Sequence, residues 1–241
     1  HYTNITDNDQ VDTMAANLKQ YNVDYDVFGL SYYPFWDGTN ENMQNVARNI
    51  MDKYGKRVMI AETSYAYTTE DGDGFSNSFD GIEGAVDGYA ATVQSQATMI
   101  RDICADANEV GVIGVFYWEG TWIPVGSRDA DNSGLWEKYG SGWASSYSAD
   151  YDPDDAGLYY GGSSWDNQAM FDFTGHPLAS LNVFKYLKDG NSIPLAVEFV
   201  PDVNLTFGVG EEIKLPEKVQ VVYNDRSANT EVAVSWDQDA V

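Results

Sequence analysis

"RVMIAETSYAYTTEDGDGFSN", residues 57 to 77, decides the fold reading. It opens as an apolar run short enough for a strand and buried enough to be covered on both faces. The run stops at Glu62, so a carboxylate sits at a strand end. Ten residues on, the chain becomes a Gly-rich cluster of oxygen donors. A strand that ends in a carboxylate and leads into a long loop is the pattern of a barrel strand feeding a catalytic mouth.

Two further runs read the same way, "YDVFGLSYY" (25–33) and "VGVIGVFYW" (110–118). They too are near-continuous rather than alternating, as parallel strands covered on both faces are. Helical patterns lie between them. Asp9 is a candidate cap for a helix that places Val11, Met14, Ala15 and Leu18 on one face. Asn40 or Asn42 starts another, with Met43, Val46, Ala47, Ile50 and Tyr54. Val93, Ala97, Ile100 and Cys104 mark a third. "HPLASLNVFKYLKDGN" (176–191) predicts a fourth, with Pro177 in its first turn and Gly190 past its end. Helix and strand alternate, so the chain is α/β with a parallel sheet. Each strand ends in polar or aromatic residues, as in a (β/α)8 barrel. Eight strands are needed and three are readable, so the expectation is the C-terminal half of such a TIM barrel.

Glu119 to Phe173 shows no strong period and is far longer than an ordinary connection. It holds Trp122, Trp136, Trp143, Tyr147, Tyr151, Tyr159, Tyr160 and Trp165, too aromatic for disorder. After Gly190 the pattern becomes alternating, as in "KVQVVYND" and "EVAVSWD", with turn signals at Gly208 to Gly210 and at Asn224-Asp225. This predicts a partial all-β segment with too few strands for a sandwich. The expected division is residues 1–195 and residues 196–241.

The formal net charge is −25, from 38 acidic and 13 basic residues. Such a chain repels phosphate backbones and anionic surfaces, which argues against a nucleic-acid partner and for a neutral or cationic one. One cysteine, Cys104, permits no intrachain disulfide and reads as a small core residue. No stretch approaches the ~20 apolar residues of a membrane span. No signal peptide is recognisable, and the start at His1 leads us to expect preceding sequence in the gene.

Three constellations could carry chemistry. Glu62 and Glu119 both end apolar strands and form a natural carboxylate pair for glycoside hydrolysis; an exposed or ion-paired strand end is the alternative. In "EDGDGFSN", Asp71, Asp73 and Asn77, with the carbonyl of Phe75, alternate along a turn as Ca²⁺ ligands do. Position 12 counted from Asp71 is Ile82, so this is no EF-hand, and a solvated acidic turn is the alternative. Trp36, Trp118, Trp122 and the loop aromatics suit stacking on the C–H faces of neutral sugar rings, though half of them could be loop anchors. His176 reads as structural, and His1 could face the mouth from the end of a further strand. No P-loop, dinucleotide fingerprint, nucleophile elbow or zinc spacing is present.

By "YDVFGLSYYPFWDG", "MIAETSYAYTTEDGDG", "GVFYWEGTWIPVG" and the loop from Trp136 to Phe173, residues 1–188 resemble the second half of the endo-β-1,4-galactanases, glycoside hydrolase family 53. The resemblance implies a (β/α)8 barrel and retaining hydrolysis of β-1,4-galactan in pectic type I arabinogalactan. It implies that Glu62 is the nucleophile and that the acid/base Glu lies on a strand before His1. Glu119 becomes a cleft residue rather than the acid, and Trp118 the floor of a sugar subsite. Tyr32, Trp36 and Trp122 are the other expected substrate contacts. Bacterial members similar to this chain bind calcium, which implies a shell of Asp71, Asp73, Phe75, Asn77, Ser163 and Asp166. Phe75 stands where those members have His. The metal would tie the loop after Glu62 to the long loop.

The tail from Gly210 resembles the start of a bacterial Ig-like module of secreted cell-wall enzymes. Together these imply a secreted or cell-surface bacterial enzyme. Its partners would be galactan and the N-terminal half of the barrel. A non-catalytic carbohydrate-binding piece, or another retaining barrel glycosidase such as a mannanase or xylanase, are the competing readings.

Overall fold

The structure is a computed structural model that describes residues 1–139, 146–151, 153, 154, 157, 162–189, 196–208, 210, 211, 213–223 and 228–236. Helices and strands alternate through its first half: α1 (Asn8–Gln20), β1 (Val27–Ser31), α2 (Asn40–Tyr54), β2 (Arg57–Thr63), α3 (Val93–Glu109) and β3 (Val115–Tyr117). The three strands form one sheet in the order β1-β2-β3, parallel throughout. An isolated parallel bridge, Tyr2 to Leu30, adds a stub beside β1. Strands in sequence order with a helix after each is the repeating unit of a βα barrel.

The local signals explain the boundaries. Asp7, not Asp9, caps α1, accepting from the backbone N–H of Asp9 and Gln10; Asp9 occupies the first turn, where its charge faces the helix dipole. Thr39 caps α2, and Gly55 ends it in the left-handed conformation (φ 64°), a position that glycine adopts without steric cost. Most of the expected apolar faces of α1 and α2 is buried, with Val11, Ala15, Met43, Val46, Ala47 and Ile50 at 0–1% exposure beside Leu30, Val58 and Ile60, but Met14 is 39% exposed and lies off the buried face of α1. Lys53 of α2 bridges Asp12 of α1 at 2.6 Å and, with the Tyr54 hydroxyl, holds that carboxyl down to about 2.

The third run is partly helix. Residues up to Glu109 belong to α3, and only Val115–Tyr117 is regular strand, although Ile113 and Gly114 already hydrogen-bond to Val58 and Ile60. Cys104 lies half-buried on α3, its thiol pushed up to about 11 by burial, which makes it a poor nucleophile.

Two predicted elements differ. His176 and Pro177 do not open a helix. Pro177 instead bridges Phe171, and a 3-10 turn, Ala179–Asn182, leads into a short helix (Val183–Asp189). Leu178 N–H bonds Met170 carbonyl, and that tertiary bond outweighs the local preference of proline for a first turn. In the tail, β4 (Val197–Phe199), β5 (Lys218–Tyr223) and β6 (Ala228–Ala233) form a separate antiparallel sheet in that order. The alternation after Phe199 produces no further strand among the described residues before β5. Asn224-Asp225, Gly190, Trp143, Tyr159 and Tyr160 lie outside the described residues. No helix of the described residues is long and apolar enough to cross a membrane.

Candidate active site

Glu62 stands at the end of β2, where the register with β1 slips between Leu30 and Ser31. Such a bulge re-aims a side chain at the rim of a sheet. The Glu62 carboxylate is held from two sides. Tyr33, just past β1, donates its hydroxyl to Oε2 at 3.1 Å. His1 brings Nε2 to 3.5 Å from Oε1 and to 2.9 Å from Ser31 Oγ. The side chain keeps 19% of its exposure, so it is anchored yet open. Burial, then the Glu62 charge, raises the Tyr33 phenol far above its usual range, and it stays a donor.

Glu119 follows β3 with φ 53°, a left-handed backbone that a non-glycine residue adopts at a cost. Burial raises its carboxyl, and the Glu62 charge raises it further. The two carboxylates therefore sense one another across the strand ends.

Aromatic rings surround this corner. Tyr33 stacks on Trp165 with centroids 5.6 Å apart, and Trp36 stands edge-on to both, at 5.3 and 5.9 Å. Trp36 is 50% exposed and stands beside Tyr33, the donor to Glu62. Trp118 is half-buried against the core. Trp122 is half-buried, and its carbonyl accepts from Ser163 Oγ at 3.2 Å. Tyr32 is a correction: at 0% exposure it points into the core, where its hydroxyl donates to Gly38 and Asn40. Side chains alternate along a strand, so of two adjacent tyrosines only one could face the mouth, and it is Tyr33.

The loop after β2 turns back on the segment 162–170. Gln96 of α3, fully buried, donates to the carbonyls of Tyr65, Gln168 and Ala169 and accepts from Ser180 Oγ, so one amide fixes both chain segments. Further out, carboxylate oxygens of Asp71, Asp73 and Asp166 lie within 4.8 Å of one another. Ser163 N–H and Phe75 N–H bond Asp73, and Gly72 N–H bonds Asp166 Oδ2 at 3.0 Å. Asp166 Oδ1 and Asn77 Oδ1 are buried without a protein partner. Burial drives the Asp166 carboxyl up to about 7, with added repulsion from Asp73 and Asp71. A Cβ on Gly162 would collide with Phe75 and Asp73, so the two segments meet only because that residue is glycine. The Phe75 side chain carries no donor oxygen and lies under the Arg128 guanidinium.

Residues 1–184 match the model of glycosyl hydrolase family 53. This chain belongs to that family. Residues 200–241 match the bacterial Ig-like domain (group 4). Among relatives, the endo-β-1,4-galactanase of Bacillus subtilis is 52% identical over 196 residues, covering 79% of this chain and 45% of the relative. An arabinogalactan endo-β-1,4-galactanase of Cellvibrio japonicus is 29% identical over 153 residues, covering 63% of the chain and 33% of the relative. The chain thus spans less than half the length of these family 53 relatives. Of solved structures, the catalytic domain of an Ignisphaera aggregans family 53 protein superposes with a TM-score of 0.60 at 34% identity, over 76% of this chain and 45% of that one. Fungal β-1,4-galactanase coordinates give 0.50 at 22% identity, over 76% and 46%, which is a likeness of fold.

Tyr33 and Trp165 are the site residues that sequence reasoning missed as contacts of the mouth. Tyr33 was one register away from Tyr32, and Trp165 stood unranked among the loop aromatics.

Proposed function

We propose that this chain is the C-terminal half of a (β/α)8 endo-β-1,4-galactanase, with Glu62 as the nucleophile of a retaining mechanism. The observation that carries this reading is the Glu62 carboxylate, fixed at a strand end between Tyr33 and His1, with the half-exposed Trp36 beside Tyr33. Glu62 would form a bond to C1 of a galactosyl unit as the bond from C1 to the leaving oxygen breaks. That oxygen takes a proton from a carboxylic acid, which then draws a proton from the attacking water. We place the acid outside residues 1–241, on the N-terminal half of the barrel. Glu119 is held at the same corner as Glu62 by a left-handed backbone, and we assign it to sugar contact with Trp36, Trp118 and Trp122.

The cluster after β2 fits calcium. Three carboxylates crowd together, two buried oxygens lack partners, and every donor is a hard oxygen. Asp71, Asp73, Asn77, Ser163 and Asp166 would hold the ion, with Phe75 able to contribute only its backbone carbonyl. The ion would neutralise the cluster and pin the β2 loop to the segment that carries Trp165. We further read residues 1–195 as the barrel half and 196–241 as the Ig-like segment of a secreted bacterial protein acting on pectic galactan.

Reducing-sugar release from linear β-1,4-galactan tests the reading, with this chain and the full-length protein measured beside their Glu62→Gln forms. The full-length protein should release sugar and its Glu62→Gln form should not. Activity on mannan or xylan without activity on galactan would overturn the substrate. Galactan binding without hydrolysis by the full-length protein would favour a binding module.

A further inference from the structure

The imidazole that faces Glu62 Oε1, its Nε2 3.5 Å away, has no role in the chemistry above, and its placement is specific. His1 is the last residue before the Tyr2–Leu30 bridge. Tyr2 N–H donates to Gly29 carbonyl at 2.8 Å, and Ser31 N–H donates to Tyr2 carbonyl at 2.9 Å. These two backbone bonds set His1 at the level of the β1 and β2 ends. Ser31, 1% exposed, then holds the ring through Nε2. Ser31 is also the residue in register with Glu62. The imidazole, its serine anchor and the carboxylate thus come from three neighbouring strands at one level of the sheet.

We propose that His1 is a positioning residue for Glu62, acting through Nε2 with Ser31 as its anchor; the proposal rests on Glu62 being the nucleophile. Tyr33 and His1 approach different oxygens of the carboxylate, so together they fix its rotation, which neither does alone. A nucleophile that attacks one carbon must present one oxygen in one direction, and misplacement by an ångström is costly. The ring does not contact sugar in this account, and its loss acts on turnover rather than on affinity.

The test uses the full-length protein with linear β-1,4-galactan and compares His1→Ala, His1→Gln and His1→Asn. Glutamine can place an amide nitrogen where Nε2 stands; asparagine places one where Nδ1 stands. His1→Ala should lower kcat roughly ten- to a hundredfold, the range of a lost hydrogen bond to a charged group, with KM within about twofold. His1→Gln should recover most of the loss and His1→Asn should not. Ser31→Ala should lower kcat several-fold in the wild type and have little further effect beside His1→Ala, because the two act as one unit.

A kcat for His1→Ala within about twofold of wild type overturns the proposal. Equal recovery by Gln and Asn does so as well, since space filling would then suffice. Matching melting temperatures guard against a folding artefact, and if His1→Ala does not fold, the Gln and Asn pair decides. An inactive wild-type protein would instead remove the galactanase reading, and this inference with it.

Discussion

The end of β2 and the loop beyond it both carry carboxylates, and their surroundings differ. Glu62 receives Tyr33 on one oxygen and faces His1 with the other, while a fifth of its surface stays open. Asp71, Asp73 and Asp166 crowd within 4.8 Å, and two of the oxygens there are buried with no partner at all. A buried acceptor without a donor is costly, and like charges at this distance repel. On our proposal the first site is open to a substrate and the second is completed by an ion. The difference lies in the orphaned oxygens: Asp71 and Asp73 accept backbone N–H groups, while Asp166 Oδ1 and Asn77 Oδ1 accept none.

The comparison can be broken from either side. The largest expected effect is on the first group. Glu62→Gln in the full-length protein should lower kcat on galactan by at least about a thousandfold with little change in melting temperature, as loss of a nucleophile does. Comparable activity in that variant would move the nucleophile elsewhere. The second group should show the reverse. Calcium at about a hundred times its dissociation constant should raise the melting temperature by roughly 5–10 °C, and a chelator should abolish the rise. Asp166→Asn should remove that response in differential scanning fluorimetry. An unchanged calcium response in Asp166→Asn would show that the ion does not bind at this cluster.

Smaller effects sharpen the first group. Tyr33→Phe removes one donor from Glu62 and should lower kcat by about tenfold, with folding intact, because the ring and its stacking on Trp165 remain. Trp36→Ala removes an exposed face and should raise KM several-fold with kcat retained, the mark of uniform binding loss. If Trp36→Ala instead lowered kcat alone, the ring would belong to positioning rather than to sugar contact.

Much of this was legible in the sequence because apolar continuity and helical spacing are strong signals. The runs at β1 and β2, the apolar face of α2, that of α1 apart from the exposed Met14, and Glu62 at a strand end lie where periodicity puts them. What failed were choices that tertiary contacts make. Adjacent Tyr32 and Tyr33 are equivalent in composition, and the bulge at Leu30/Ser31 decides which faces the mouth. Pro177 suits a first helical turn, but its pairing with Phe171 overrides that. The clamp around Gly162 and the Gln96 bonds to Gln168 and Ala169 join residues 70 or more positions apart, and no local pattern encodes them. The acidic turn of Asp71, Asp73 and Asn77 was readable from spacing. That Ser163 and Asp166 meet it came only from family resemblance.

The most direct measurement is to trap the covalent intermediate. The full-length protein would be incubated with an activated 2-deoxy-2-fluoro β-galactobioside, digested, and analysed by peptide mass spectrometry. The account predicts one added fluoro-galactobiosyl group, on Glu62. A label on Glu119, or turnover of galactan with inversion at C1, would contradict it.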